Sequence, residues 1–157
     1  MARIKIELPK QFSFSCSIPV RITDVNYGGH VGNDTVLSII HEARMQFLEK
    51  FGYTEMEFEG AGTIMAEAYV EYKNELYYGD VITVSVAAAG FSKVSFDLYY
   101  KLEKVLRQAP SAAIGLPTAM QDDKKILVAI AKTGMVCYDY AKKKMVSVPE
   151  KAKQRLA

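Results

Sequence analysis

Asp24-Val25-Asn26-Tyr27-Gly28-Gly29-His30-Val31-Gly32-Asn33-Asp34 is a polar, glycine-rich stretch that runs straight into a segment of helical period. From Asp34 to about Phe51, Leu37, Ile40, Phe47, Leu48 and Phe51 recur at threes and fours, with Ile39 and Ala43 beside them. That spacing predicts one long helix with a broad apolar face. Asn33 or Asp34 is placed to cap its amino end and Gly52 to stop it.

What surrounds this helix reads as sheet. Upstream, Ile4 and Ile6 alternate, and Phe12, Phe14, Ile18, Val20 and Ile22 follow, with Pro9 and Pro19 breaking the run. An irregular start or an edge strand is expected there. Downstream, strands are expected from Thr63 to Leu76, from Val81 to Ala89, from Val94 to Leu102 and from Ile126 to Tyr140, with a turn at Tyr77-Tyr78-Gly79-Asp80. The last of these is apolar on both faces, as a central covered strand would be. Pro149 to Leu156 suits a short final helix. Residues 104–124, with Pro110, Gly115 and Pro117, read as a long loop with a short helical piece, and the apolar content of 109–120 suggests a lid. One helix cannot flank both faces of a sheet. The order therefore predicts an α+β fold, an antiparallel sheet wrapped around one long central helix that it nearly encloses. Such a sheet leaves bare edges, so a homodimer or homotetramer is expected.

Composition narrows the function. With 157 residues, 50% of them apolar and 24% charged, the chain can build its own core as one domain, 1–157. It has no uncharged run of 18 apolar residues, and charges at Arg3, Lys5 and Glu7 interrupt any leader-like stretch. A cytoplasmic protein with no membrane partner is expected. The two cysteines, Cys16 and Cys137, form no Cys-x-x-Cys pair, and the two histidines are His30 and His41. No metal and no cofactor are implied. The tail is basic at Lys142, Lys143, Lys144, Lys151, Lys153 and Arg155. Without interleaved aromatics it reads as a solvated face, and no nucleic-acid partner is expected.

Chemistry concentrates in the glycine-rich stretch. Free backbone N–H groups at a helix start, with the positive end of the helix dipole, favour an oxyanion or a polarised carbonyl. Glycines let a ligand approach the backbone. A histidine, an aspartate and two asparagines lie close in sequence to that point, which suits attack by water on an acyl carbonyl.

Val20-Arg21-Ile22-Thr23-Asp24, then Gly29-His30-Val31-Gly32-Asn33, then His41-Glu42-Ala43-Arg44 with Phe47-Leu48 and Gly52 resemble the hotdog-fold acyl-CoA thioesterases of the 4-hydroxybenzoyl-CoA thioesterase type. Val70-Glu71-Tyr72 before Tyr78-Gly79-Asp80, and Val146-Ser147-Val148-Pro149-Glu150 near the end, agree with this resemblance. It implies a hotdog fold, an acyl-CoA substrate, and hydrolysis to coenzyme A and a carboxylic acid. The family typically shows Arg-x-x-Asp-x-Asp-x-x-Gly-His-Val-Asn-Asn, and the second acid of Asp-x-Asp is commonly catalytic. Here that position is Asn26, and the first asparagine of the pair is Gly32. An amide cannot take a proton from water. The resemblance therefore points to His30 as the base with Asn26 holding water or substrate, and to Asp24 or Glu42 as substitute acids. Tyr27, Gly28, Gly29, Val31, Gly32 and Asn33 are the implied substrate contacts, with the carbonyl oxygen on N–H groups near Gly29 to Gly32. A hotdog protein that binds acyl-CoA or an acyl carrier without cleaving it is the alternative, and Asn26 favours it.

Overall fold

The computed structural model describes residues 3–105 and 124–157. The elements are β1 (Phe14–Pro19), α1 (Asn33–Lys50), β2 (Gly62–Tyr72), β3 (Val81–Ala89), β4 (Ser95–Val105), β5 (Lys125–Asp139), β6 (Lys144–Met145) and α2 (Glu150–Leu156). They form one antiparallel sheet in the order β1-β3-β4-β5-β2, with β6 paired to the end of β5. This is the helix-and-sheet architecture the sequence predicts.

Strand alternation decides which face meets the helix. Ile82, Val84 and Val86 of β3 and Phe96, Leu98, Tyr100 and Leu102 of β4 are all fully or almost fully buried. Antiparallel register sets Val84 beside Leu102 and Val86 beside Tyr100, so one continuous apolar surface faces inward. β5 lies between β4 and β2, as a strand apolar on both faces should. On α1, Val36, Ile39, Ile40, Ala43, Arg44, Phe47 and Leu48 are buried. Phe47 makes edge-on contacts with Phe14 of β1 at 5.9 Å and Phe51 at 5.1 Å between ring centres.

Five expectations are corrected. The helix is not nearly enclosed: Asn33, Leu37, Ser38, His41 and Glu42 form an exposed stripe along it, because the sheet curves around one side only. Leu37 belongs to that stripe rather than to the core. The cap is Gly32, with no side chain bonding the first turn, so neither Asn33 nor Asp34 plays that part. β2 ends at Tyr72 instead of Leu76; Lys73 and Asn74 both turn their N–H groups onto the Val128 carbonyl, at 2.8 and 3.1 Å, which breaks the ladder. At the start of the chain, β1 is an edge strand ending at Pro19. The lid expected at 109–120 lies outside the described residues, and at the start of the long loop expected at 104–124, Lys104 and Val105 instead belong to β4.

Candidate active site

The loop before α1 is held shut by its own backbone. Val25 and Val31 pair as an isolated bridge. The Asn26 N–H donates to the His30 carbonyl at 2.9 Å, and the Gly29 N–H to the Asn26 carbonyl at 3.0 Å. Gly29 takes a φ of 85°, a left-handed conformation that suits glycine. The Asn26 side chain closes the loop further, its Oδ1 accepting the Gly28 N–H at 2.9 Å. A Cβ added to Gly28 would meet Asn26 Oδ1 at 3.3 Å and His30 Nε2 at 3.4 Å. The amide and the imidazole therefore flank the same glycine.

Asp24 anchors the loop's other end. Its carboxylate accepts the Arg21 N–H at 2.8 Å and the Arg21 guanidinium at 3.4 and 3.2 Å. Burial pushes the Asp24 carboxyl up, but the Arg21 bonds outweigh it and hold the group below its ordinary value. A lowered carboxyl adds stability above the unfolded-state value of about 4 and loses it as pH falls through the folded value. Asp24→Asn is therefore expected to be less stable than the unaltered chain at neutral pH, with the gap closing below about pH 4 in paired urea titrations.

The donors near the helix start divide into two groups. Gly28, Gly29 and Val31 spend their N–H groups inside the fold, Val31 on the Leu76 carbonyl at 2.9 Å. The Thr35 and Val36 N–H groups bond back to the Gly32 carbonyl at 3.1 and 3.2 Å. The amides of Gly32, Asn33 and Asp34 have no acceptor among the described residues, as the first turn of a helix leaves them. The available donors thus sit slightly later than the Gly29-to-Gly32 span the sequence implies.

A cavity of about 250 Å³ opens at this end of α1. His30, Val31, Asn33 and Val36 line one side, and Tyr72, Lys73, Asn74, Glu75, Leu76 and Val128 the other. His30 Nδ1 lies 3.3 Å from the Val31 carbonyl. In the tautomer that donates there, Nε2 keeps a lone pair, and it lies 3.9 Å from Glu75 Oε1. The Tyr72 hydroxyl donates to the Asn33 carbonyl at 2.8 Å.

The site residues named from the sequence do not all meet. His30, Val31 and Asn33 line this cavity, with Asn26, Gly28 and Gly32 close behind. Asp24 and Glu42 instead line a second cavity of about 350 Å³, between β1 and α1, with Arg21, Ser38 and Gln46. Glu42 accepts a bond there from Gln46 at 2.8 Å. Tyr27 is fully exposed. Sequence reading missed the segment 72–76, whose polar run Lys73-Asn74-Glu75 was the available signal.

Neither thiol lines this cavity. Burial pushes the Cys137 thiol up to about 11. Burial, then the charge of Glu42, also raises Cys16. Both are expected to react slowly with a disulfide reagent in the native protein at neutral pH and promptly after denaturation, read by absorbance. The lysines of the tail cluster on and before α2, where Lys151 lies 3.7 Å from Glu59, beyond the carboxyl end of α1. Lys132 is engaged by Asp97 at 3.3 Å and Glu67 at 3.8 Å across the sheet.

The curved antiparallel sheet, the single long helix and the glycine-rich loop at its head are those of a hotdog thioesterase fold. The chain belongs to the thioesterase-like superfamily, whose model matches residues 20–156. A curated protein of Aquifex aeolicus (strain VF5), named "Putative esterase", is 30% identical over 83 residues, a match covering 52% of this chain and 65% of that protein. The structure of a 1,4-dihydroxy-2-naphthoyl-CoA thioesterase from Synechocystis is similar, with a TM-score of 0.71 and 17% identity over 91% of this chain and 94% of that one. An aspartate-to-asparagine mutant of 4-hydroxybenzoyl CoA thioesterase, complexed with 4-hydroxybenzoyl CoA, matches with a TM-score of 0.73 and 16% identity over 92% and 98% of the two chains. Among the described residues no helix is long and apolar enough to cross a membrane.

Proposed function

We propose that this protein hydrolyses an acyl-CoA thioester to coenzyme A and a carboxylic acid at the cavity that heads α1. The observation that carries the reading is that His30 and Asn33, whose amide is open in the first helical turn, line one cavity, with Gly32 and Asp34 next to Asn33 in the chain. The acyl carbonyl oxygen rests on the amides of Gly32, Asn33 and Asp34, which stabilise the charge that develops there. Water beside His30 attacks the carbonyl carbon. Asn26 keeps the loop closed and presents its amide nitrogen toward Gly32, 3.4 Å from where a Cβ would stand.

About 250 Å³ is at the small end of ligand pockets, so it fits the reacting group and a modest acyl head, not a whole acyl-CoA. A second copy supplies the rest of the surface in this reading. Among the described residues β2 is an edge strand 11 residues long with Ile64 and Met65 exposed, and α1 has the open stripe bearing Leu37. Such an edge invites pairing with its like.

A panel of aromatic and aliphatic acyl-CoA esters, followed by release of free thiol, tests the proposal. Turnover of at least one ester well above the uncatalysed rate is the expected result. The second reading, binding without cleavage, is favoured by Asn26 at the position where the family commonly carries its catalytic acid. Tight binding with no thiol release across the panel would establish it and refute hydrolysis.

A further inference from the structure

Resting on the thioesterase reading, we infer that Glu75 supplies the carboxylate of the reaction, acting with His30 on the attacking water. Asn26 cannot take a proton, and Asp24 and Glu42 open on a different cavity. Glu75 lines the same cavity as His30. Its Oε1 stands 3.9 Å from His30 Nε2, too far for a direct hydrogen bond and within the reach of one shared water. A water donating to both atoms turns its lone pairs outward, toward a carbonyl held at the helix start.

The segment around Glu75 is held from several directions, and its exposed carboxylate is oriented by one bond. Glu75 Oε2 accepts the Tyr77 hydroxyl at 2.6 Å, which leaves Oε1 for the cavity. The Glu75 carbonyl accepts the ammonium of Lys104 at 2.6 Å, and the same ammonium reaches Asp80 at 3.1 Å. Lys104 is itself about nine-tenths buried. On either side, the Asn74 amide donates to the Leu127 carbonyl at 2.7 Å, and the Leu76 carbonyl takes the Val31 N–H. The segment is thereby tied to the very loop that carries His30. A proton acceptor within reach of the attacking water through one bridging position is what general-base catalysis requires.

In the reaction, a bond forms between water oxygen and the carbonyl carbon as the water proton passes to the Glu75–His30 pair. The carbonyl electrons move onto oxygen, over the helix amides. When the oxyanion collapses, the carbon–sulfur bond breaks. The proton then goes to sulfur, which leaves as the thiol.

The test takes the best ester of the panel and compares the unaltered chain with Glu75→Gln and with Glu75→Gln carrying Asn26→Asp. Glu75→Gln keeps the shape and the Tyr77 contact, so kcat should fall at least tenfold with KM within about twofold. Asn26→Asp should then return most of the lost kcat by putting an acid back on the loop. Wild-type kcat/KM in Glu75→Gln would overturn the assignment. So would a loss that Asn26→Asp leaves untouched, since it would trace to local structure instead of charge. An unaltered chain that turns over no ester refutes the thioesterase reading itself, and the inference falls with it.

Discussion

Replacing His30 with alanine is expected to lower kcat/KM for thioester hydrolysis at least tenfold, the scale on which a positioned proton acceptor contributes. The imidazole lines the cavity and, among the described residues, hydrogen-bonds only to the carbonyl next to it in sequence, that of Val31. Its removal should therefore leave the melting temperature within a few degrees while the rate collapses. KM should change little, because in the proposed reaction His30 acts on water and not on the bound ester. Steady-state rates and a thermal melt on the same preparation separate the two effects. An unchanged kcat/KM would remove His30 from the reaction.

The largest expected effect on stability is at Phe47. Its ring is fully buried and joins α1 to β1 and to the helix end through Phe14 and Phe51. Phe47→Ala removes that burial and leaves a cavity, at a cost of about 3–5 kcal/mol. Total stability of such domains is about 5–15 kcal/mol, so the melting temperature should fall by roughly 10 °C. Urea unfolding of the two proteins measures the difference directly. A loss below about 1 kcal/mol would mean that the ring is not packed as described.

What could be read from the chain alone was local. The helix, the alternating strands β3 and β4, and the His30 loop each carry their signal within a short window, in apolar period or in glycine content. The structure places them as expected. What depends on closure of the sheet could not be read this way. Leu37 shares the apolar repeat of the helix, but which side the sheet covers is set by strand order, and it falls on the open side. Asn33 and Asp34 are good capping residues by type. The loop's bridge between Val25 and Val31 puts the non-helical turn one residue earlier, at Gly32. Asp24 and Glu42 are close to His30 along the sequence, yet α1 and β1 frame a separate cavity around them. Glu75 shows the limit most clearly. It lies 45 positions beyond His30 in the chain, and tertiary bonds such as Val31 N–H to the Leu76 carbonyl and the Tyr72 hydroxyl to the Asn33 carbonyl bring its segment alongside.

The central claim is that an acyl carbonyl sits on the amides at the head of α1. A crystal structure of the unaltered protein with a ketone analogue of an acyl-CoA, its sulfur replaced by methylene, tests it most directly. The account predicts the carbonyl oxygen within hydrogen-bonding distance of the Gly32, Asn33 or Asp34 N–H groups, with the carbonyl carbon facing His30. An analogue whose carbonyl instead occupies the cavity of Arg21, Asp24 and Glu42 would contradict it.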